Sequence, residues 1–525
     1  MTFRLHARSL FGFSIALFTA CGSSGGAAPS GAAGSANTAG NVGASGSAGS
    51  GVSSGGNAGA SSSAGSGGAS GASGGGTSSA GNGGNAGSGT AGTGGTPTSA
   101  IGSGAPLDPH LIGINYWGES DTEALWPTVQ ASGVKLIRFG GAGADKEQPT
   151  NQRFADVATA IRKIGAEPYL QVSRFFDATR AKQLVDFVNN QQALHVVYWS
   201  INNEPDIDAN EDLMSVSDTA NLIMTLGSAM KEADPTIQIF APETAYYHVE
   251  YLGPMLGGAN DITGKDANGN YYIDGVSFHA YPFGANYTRD QAVGAAAGIG
   301  GSVTQLLAAM NSANQKNGRT GSHALKWGLT EFNMTYNNPG DNSVGSFGVN
   351  SFLNGQFFAE VFGVGMANSA VTMDPWSIHE SNGDEGLTDL GYLDGPVNSA
   401  KPRSSYYHLQ FLAQNFTGRF APAKSTQPLL RAVAAGDGTR VSVLLLNEST
   451  DQNYEFGVRL DNGQLMQAKA VTVDIDAALA AEYSSTIPAQ SSMLLLFDNT
   501  GKVTKRMDYA IADAQAHTAP RMVNP

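Results

Sequence analysis

Two glutamates in this chain stand where carboxylates can do chemistry. Glu204 closes the apolar run "HVVYWSINNEP" (195–205), behind Asn203 and ahead of a proline. Glu331 closes a second run, "LKWGLTEFN" (325–333). Two carboxyls facing each other across a pocket can divide proton transfer and nucleophilic attack between them. Other polar groups finish apolar runs in the same way. They are Tyr116 with Trp117, Arg138, Ser173 with Arg174, His279 with Tyr281, and Asp374 with Trp376. Side chains of these types at run ends do not fill a core, so the elements that carry them decide what they do.

The elements alternate. Apolar runs at 111–117, 134–141, 166–173, 195–205, 237–244, 274–283, 325–333 and 369–377 are separated by helix-period stretches. Phe154, Val157, Ile161 and Ile164 share one helix face, as do Val303, Leu306, Leu307 and Met310. Eight βα units predict an α/β fold, a (β/α)8 TIM barrel, over 101–403. An open doubly wound sheet is the alternative, but it usually carries a Gly-rich phosphate turn after its first strand. Here Gly118-Glu119-Ser120-Asp121 follows instead. In a barrel the chemistry gathers at the C-terminal ends of the strands, which brings Glu204 of the fourth and Glu331 of the seventh to one mouth. Beyond Tyr406 short β-rich runs at 440–447, 454–460, 469–475 and 491–498 predict a small antiparallel β-sandwich over 404–503. The last stretch, 504–525, shows no pattern and reads as a tail.

At this point the residues resemble a known group. "NNEP" (202–205) and "LTEFN" (329–333) are similar to the strand-four and strand-seven motifs of clan A glycoside hydrolases. "IRFGGAGAD" (137–145) and "VSFHAYP" (276–282) look most like families 44, 79, 39 and 51 of that clan. The resemblance implies a barrel enzyme that cleaves glycosidic bonds with retention, its two carboxyls about 5–5.5 Å apart. It makes Glu204 the acid/base and Glu331 the nucleophile. Asn203 would bind the sugar 2-hydroxyl, and Arg138 would keep Glu331 ionised. Tyr281 would donate to the same carboxylate, His279 would line the cleft, and Trp376 would lie under the sugar at the cleavage point. Trp117, Phe175, Tyr246, Tyr247 and Phe283 are candidates for further sugar platforms, although aromatics near strand ends are as often packing. The expected substrate is a polysaccharide or oligosaccharide, and the first choice of activity is an endo-β-1,4-glycanase of glucanase or xylanase type. Exo-acting alternatives are a β-glucuronidase, β-xylosidase or α-L-arabinofuranosidase. A non-catalytic glycan-binding surface protein is the rival from another class.

Composition narrows the setting. A net charge of −15 argues against nucleic acid as a partner. Residues 1–20 combine Arg4, His6 and Arg8 with the apolar "LFGFSIALFTA", and the only cysteine, Cys21, follows at once. This resembles a bacterial lipoprotein signal, although Phe18 replaces the usual leucine, and an ordinary secretory leader is the alternative. It implies a lipid anchor on Cys21 as the one membrane contact, and a location at the bacterial cell envelope or outside the cell. Residues 21–100, rich in Gly, Ser and Ala, read as a tether with a root-mean-square span of roughly 45–50 Å. A single cysteine excludes an intramolecular disulfide. No His/Cys cluster has zinc spacing, and in "DANGNYYID" (266–274) the glycine does not fall at the sixth position that a calcium loop requires, so no metal and no cofactor are expected. A monomer is expected.

Overall fold

The computed structural model describes residues 103–118, 120–207, 213–380, 389–460 and 469–525. The expected leader, Cys21 and the expected tether therefore lie outside the described residues. Eight parallel strands pair in chain order. They are β1 (Gly113–Tyr116), β2 (Leu136–Phe139), β3 (Glu167–Val172), β4 (Tyr198–Ile201), β5 (Gln238–Thr244), β6 (Gly275–Ala280), β7 (Lys326–Phe332) and β8 (Thr372–Pro375). A parallel bridge from Ile112 to Met373 brings the last strand back to the first. The helices that follow are α1 (Trp126–Ser132), α2 (Ala142–Glu147), α3 (Asn151–Lys163), α4 (Ala178–Val185) and α5 (Val216–Ala233). Then come α6 (Val249–Met255), α7 (Arg289–Lys316), α8 (Phe352–Ala367) and α9 (Ser404–Asn415). The result is a (β/α)8 barrel followed by a β-sandwich.

Alternation along the strands explains the layering. Ile137 and Phe139, Leu170 and Val172, Trp199 and Ile201, and Val276 and Phe278 pack outward into the apolar layer shared with the helices. The alternate residues Leu136, Tyr169, Tyr198 and Phe240 form, with Val371, a separate apolar cluster that fills the barrel interior. One step up, the same inward rows carry Arg138 and Gln171, both buried. The interior thus changes from hydrocarbon to charge over two residues of strand. Capping fixes where the helices begin. Thr150, Asp177, Ser215 and Ser351 each accept from the backbone N–H three residues on, and Thr288 and Gln291 form a capping box. Helix α7 is long and apolar enough to cross a membrane by composition, yet it buries Ile299, Val303, Leu306 and Met310 in the folded protein.

Two boundaries differ from the sequence-based expectation. Residues 404–415, assigned above to the sandwich, are helix α9 and complete the barrel, packing on α8 and α1. Residues 504–525, assigned as a tail, extend the sandwich. Strand Val503–Ala510 pairs with Ser491–Asp498, and Arg521–Val523 forms the edge beyond it. The sandwich sets a six-stranded sheet against a four-stranded one around Val443, Leu445, Phe456, Val458, Val473 and Leu495. One pair, Tyr454–Arg459 with Val471–Ile475, is parallel, so the domain is not wholly antiparallel. Buried polar groups join it to the barrel. Gln356 of α8 donates to the carbonyls of Asn447 (3.1 Å) and Ser491 (3.2 Å), and His408 of α9 lies 2.8 Å from the Ser492 hydroxyl. The sandwich therefore braces the helices that follow β7 and β8. The "DANGNYYID" segment is a tight turn, with Asp266 Oδ1 accepting from the N–H groups of Asn268 and Asn270.

Candidate active site

Register breaks aim two carboxyls at the mouth. On β7 the pairing with β6 runs Phe278 to Leu329 and then His279 to Glu331, leaving Thr330 as the extra residue of a bulge. Strict alternation after Gly328 and Thr330 would send Glu331 outward; the bulge turns it in beside Thr330. The same device recurs on β5, where Pro242 and Thr244 pair with consecutive residues of β6 and Glu243 is the extra one. Beyond β4 the backbone reverses sharply. Asn202 and Glu204 adopt φ of 83° and 48°, left-handed values that cost a non-glycine residue on the order of 1 kcal/mol or more. The Asn202 side chain steadies this turn by accepting from the Asn203 N–H at 2.8 Å, and Glu204 N donates to Glu243 O at 2.8 Å.

Arg138 is the hub. Fully buried, it donates through Nη1 to Glu331 Oε1 and Asn115 Oδ1, each at 2.9 Å. Through Nη2 it donates to Gln171 Oε1 at 2.9 Å and Asn203 Oδ1 at 3.0 Å, with Glu243 Oε2 at 3.4 Å. Burial opposes its charge, but Glu243 and Glu331 outweigh that and raise its pKa. With Oδ1 turned to Arg138, Asn203 presents its NH2 end as a donor. Tyr281 donates to Glu331 Oε2 at 2.8 Å, and burial next to Glu331 keeps its hydroxyl protonated. The nucleophile candidate is thus held at both oxygens.

His279 organises the other half. Its Nδ1 is 2.9 Å from Glu204 Oε1 and 3.6 Å from Glu331 Oε2, and its Nε2 is 3.1 Å from Glu243 Oε2. Burial would lower its pKa, but Glu331, Glu204 and Glu243 together raise it to about 10. Burial also pushes the Glu204 carboxyl up, against the opposing pull of His279. Glu243 goes the other way: burial is outweighed by Arg138, His279 and Thr330, and its pKa falls to about 2. Glu204, His279 and Glu331 bring oxygen and nitrogen atoms within 4.8 Å of one another, near enough for a metal ion among the described residues. His279 meets a carboxyl at each ring nitrogen, Glu204 at Nδ1 and Glu243 at Nε2, so the trio reads as a hydrogen-bonded cluster.

The sequence-predicted residues fall into two groups. Glu204, Glu331, Asn203, Arg138, His279 and Tyr281 meet in this one cluster. Trp376 follows β8, half-buried, with its Nε1 donating to Glu380 Oε1 at 2.5 Å. Trp117 follows β1 and donates from Nε1 to His379 O at 2.9 Å, taking no part in the cluster's hydrogen bonds. Sequence reasoning missed Glu243, Gln171 and Asn115. It also gave no role to Asp374, whose buried carboxyl is raised well above the usual range by burial and accepts from Thr372 at 2.6 Å. The signal for Glu243 was present, because the fifth run also ends in a carboxylate, "APET" (241–244).

Solved structures share this architecture. An α-L-arabinofuranosidase from Thermotoga maritima superposes with a TM-score of 0.55 at 14% identity, over 76% of this chain and 98% of that one. A family 51 α-L-arabinofuranosidase from Bifidobacterium longum gives 0.54 at 16%, over 76% and 99%. A bifunctional glucanase-xylanase from a metagenome library gives 0.52 at 14%, over 75% and 96%. At these identities the likeness shows the fold, a barrel with a sandwich behind it. No protein-family model matches the sequence, and comparison with curated proteins finds no match.

Proposed function

We propose that this chain is a retaining glycoside hydrolase acting on polysaccharide, with Glu204 as acid/base and Glu331 as nucleophile. The observation that carries this is the separation of the two carboxyls, whose nearest oxygens lie within 4.8 Å. Carboxyls brought this close support a retaining pair, in which one attacks the sugar directly while the other moves the proton. In the first step the Glu204 proton passes to the glycosidic oxygen as the bond to the anomeric carbon breaks. A Glu331 oxygen bonds to that carbon, giving a glycosyl-enzyme. In the second, Glu204 takes a proton from water, the hydroxide adds to the anomeric carbon, and Glu331 leaves. The raised pKa of Glu204 supports the acid role. Donors from Arg138 and Tyr281 to Glu331 support its role as an anion and, later, as a leaving group.

Within this class we favour an endo-acting glycanase of β-1,4-glucanase or xylanase type. Exposed aromatic rings on three separate loops support a long binding surface: Phe175 after β3, Tyr246 after β5 and Tyr336 after β7. An exo-acting glycosidase is the second reading, favoured by the α-L-arabinofuranosidases among the structures of the same fold. The test is a panel of polysaccharides and of aryl glycosides of several sugars. Mid-chain cleavage, with a rapid drop in viscosity, is expected. Release of single sugars alone would select the exo reading, and no turnover of any member would remove the hydrolase.

A further inference from the structure

The loop that carries Glu204 is bolted to an exposed aromatic ring. Asp206, two residues beyond Glu204, has a fully buried side chain. Its Oδ1 accepts from Ala245 N at 2.9 Å, and its Oδ2 lies 2.9 Å from His248 Nε2. The His248 ring stacks on Tyr246 at 4.5 Å and 27°, and its centroid lies 5.1 Å from that of Tyr251. Tyr246 ends this ladder with half its surface exposed, at 50%. A lone exposed aromatic ring is ordinary. One held rigid from behind by a stacked ring, itself fixed by a buried carboxylate of the acid/base loop, is a surface prepared for a flat apolar face.

Its place in the ring of strands says which sugar. Trp376 and Trp117 follow β8 and β1, and β5 is diametrically opposite β1 in an eight-stranded closed barrel. Tyr246 is on the β5 loop, tied through His248 and Asp206 to the loop of Glu204, on the opposite side of the strand ring from the two tryptophans. With the roles proposed above, a glycan whose reacting sugar lies over Trp376 and Glu331 would run past Glu204 toward the β5 loop that carries Tyr246. We propose that Tyr246 is the platform for the first sugar on the leaving-group side, and that Asp206 and His248 are positioning residues for it. The substrate class that follows is a glycan with a pyranose leaving group, whose C–H face stacks on the ring. The same loop then delivers the proton and holds the sugar that receives it. This inference rests on the hydrolase reading above.

The experiment compares two substrates of one glycone, an oligosaccharide and a glycosyl fluoride. Fluoride is a single-atom leaving group that cannot reach Tyr246. Tyr246→Ala should lower kcat/KM on the oligosaccharide about tenfold and leave the fluoride rate unchanged. Tyr246→Phe and Tyr246→Trp, which keep the ring, should restore the oligosaccharide rate. Oligosaccharide hydrolysis unaffected by Tyr246→Ala would overturn the platform, as would an equal loss on both substrates or a Tyr246→Phe variant as poor as Tyr246→Ala. Wild-type protein that turns over neither substrate would instead remove the hydrolase reading, and the platform with it.

Discussion

The His279 imidazole stands between two glutamates, 2.9 Å from Glu204 and 3.1 Å from Glu243, and both contacts use a ring nitrogen. A neutral imidazole has one N–H and could donate to only one of them. Three carboxyls around the ring, the third at Glu331 3.6 Å away, favour the imidazolium form and raise its pKa to about 10. Glu243 has no solvent contact and receives from Tyr169, Thr330 and His279, with Arg138 close by. It is a buried counter-ion whose role is to hold the charges of Arg138 and His279 in place.

Stability should follow from that pairing with a definite sign. His279 ordinarily titrates near 6.5 and here near 10, so its contribution is complete below about pH 6.5 and disappears as pH rises through 10. Glu243 ordinarily titrates near 4.5 and here near 2, so its contribution is complete above about pH 4.5 and is lost as pH falls through 2. From these two groups a plateau between about pH 4.5 and 6.5 is expected in calorimetric Tm. His279→Gln should flatten the alkaline limb and Glu243→Gln the acid limb. Each should cost about 3–5 kcal/mol at the plateau, because the partner charge is left buried and unpaired. An alkaline limb as steep in His279→Gln as in wild type would show that the ring is not charged.

Gly141 offers a separate handle on the sugar floor. It adopts φ of 94°, and a Cβ there would stand 2.5 Å from Trp376 Cη2. Gly141→Ala must therefore strain the backbone and push the indole aside. The expected cost is about 1–3 kcal/mol of stability. KM should rise about tenfold with a smaller change in kcat, and Trp376 emission should shift. An unchanged KM, with the emission shift present, would mean that the sugar does not rest on Trp376.

What could be read from the sequence followed from periodicity and position. All eight barrel strands lie within the apolar runs, because strands buried on both faces need near-continuous hydrophobic residues. Strand-end position brought Arg138, Asn203, Glu204, His279, Tyr281 and Glu331 forward together with several others, and the motif resemblance gave these six their roles. The bulges at Glu243 and Thr330 leave no mark in composition, and alternation read literally would have turned Glu331 out of the barrel. Helix α9 was assigned to the wrong domain because its buried face includes Tyr406, Tyr407 and His408, and aromatics weaken a helical signal. Strand Val503–Ala510 reads "VTKRMDYA", with Lys505, Arg506 and Asp508 obscuring its one-sided burial. Partners far apart in the chain, such as Asp206 with His248, are set by loop geometry that no local pattern encodes.

The sharpest consequence concerns the two carboxylates, since their roles differ only in what each does to the anomeric carbon. Glu331 must bond to it, so Glu331→Ala should lose at least about a thousandfold in kcat on every substrate, whatever the leaving group. Glu204 only moves protons, so Glu204→Ala should keep the first step for an aryl glycoside whose leaving group needs no proton. It should then stall at the glycosyl-enzyme, for want of a base to activate water. Azide needs no base; it should rescue Glu204→Ala and give a glycosyl azide with the original anomeric configuration. With Glu331→Ala the same anion attacks from the vacated side and should give the opposite anomer. NMR of the two azide products reads both outcomes. Inverted product from Glu204→Ala, or near wild-type polysaccharide hydrolysis by it, would exchange or abolish the roles, and His279 would then be holding a carboxyl that never gives up its proton.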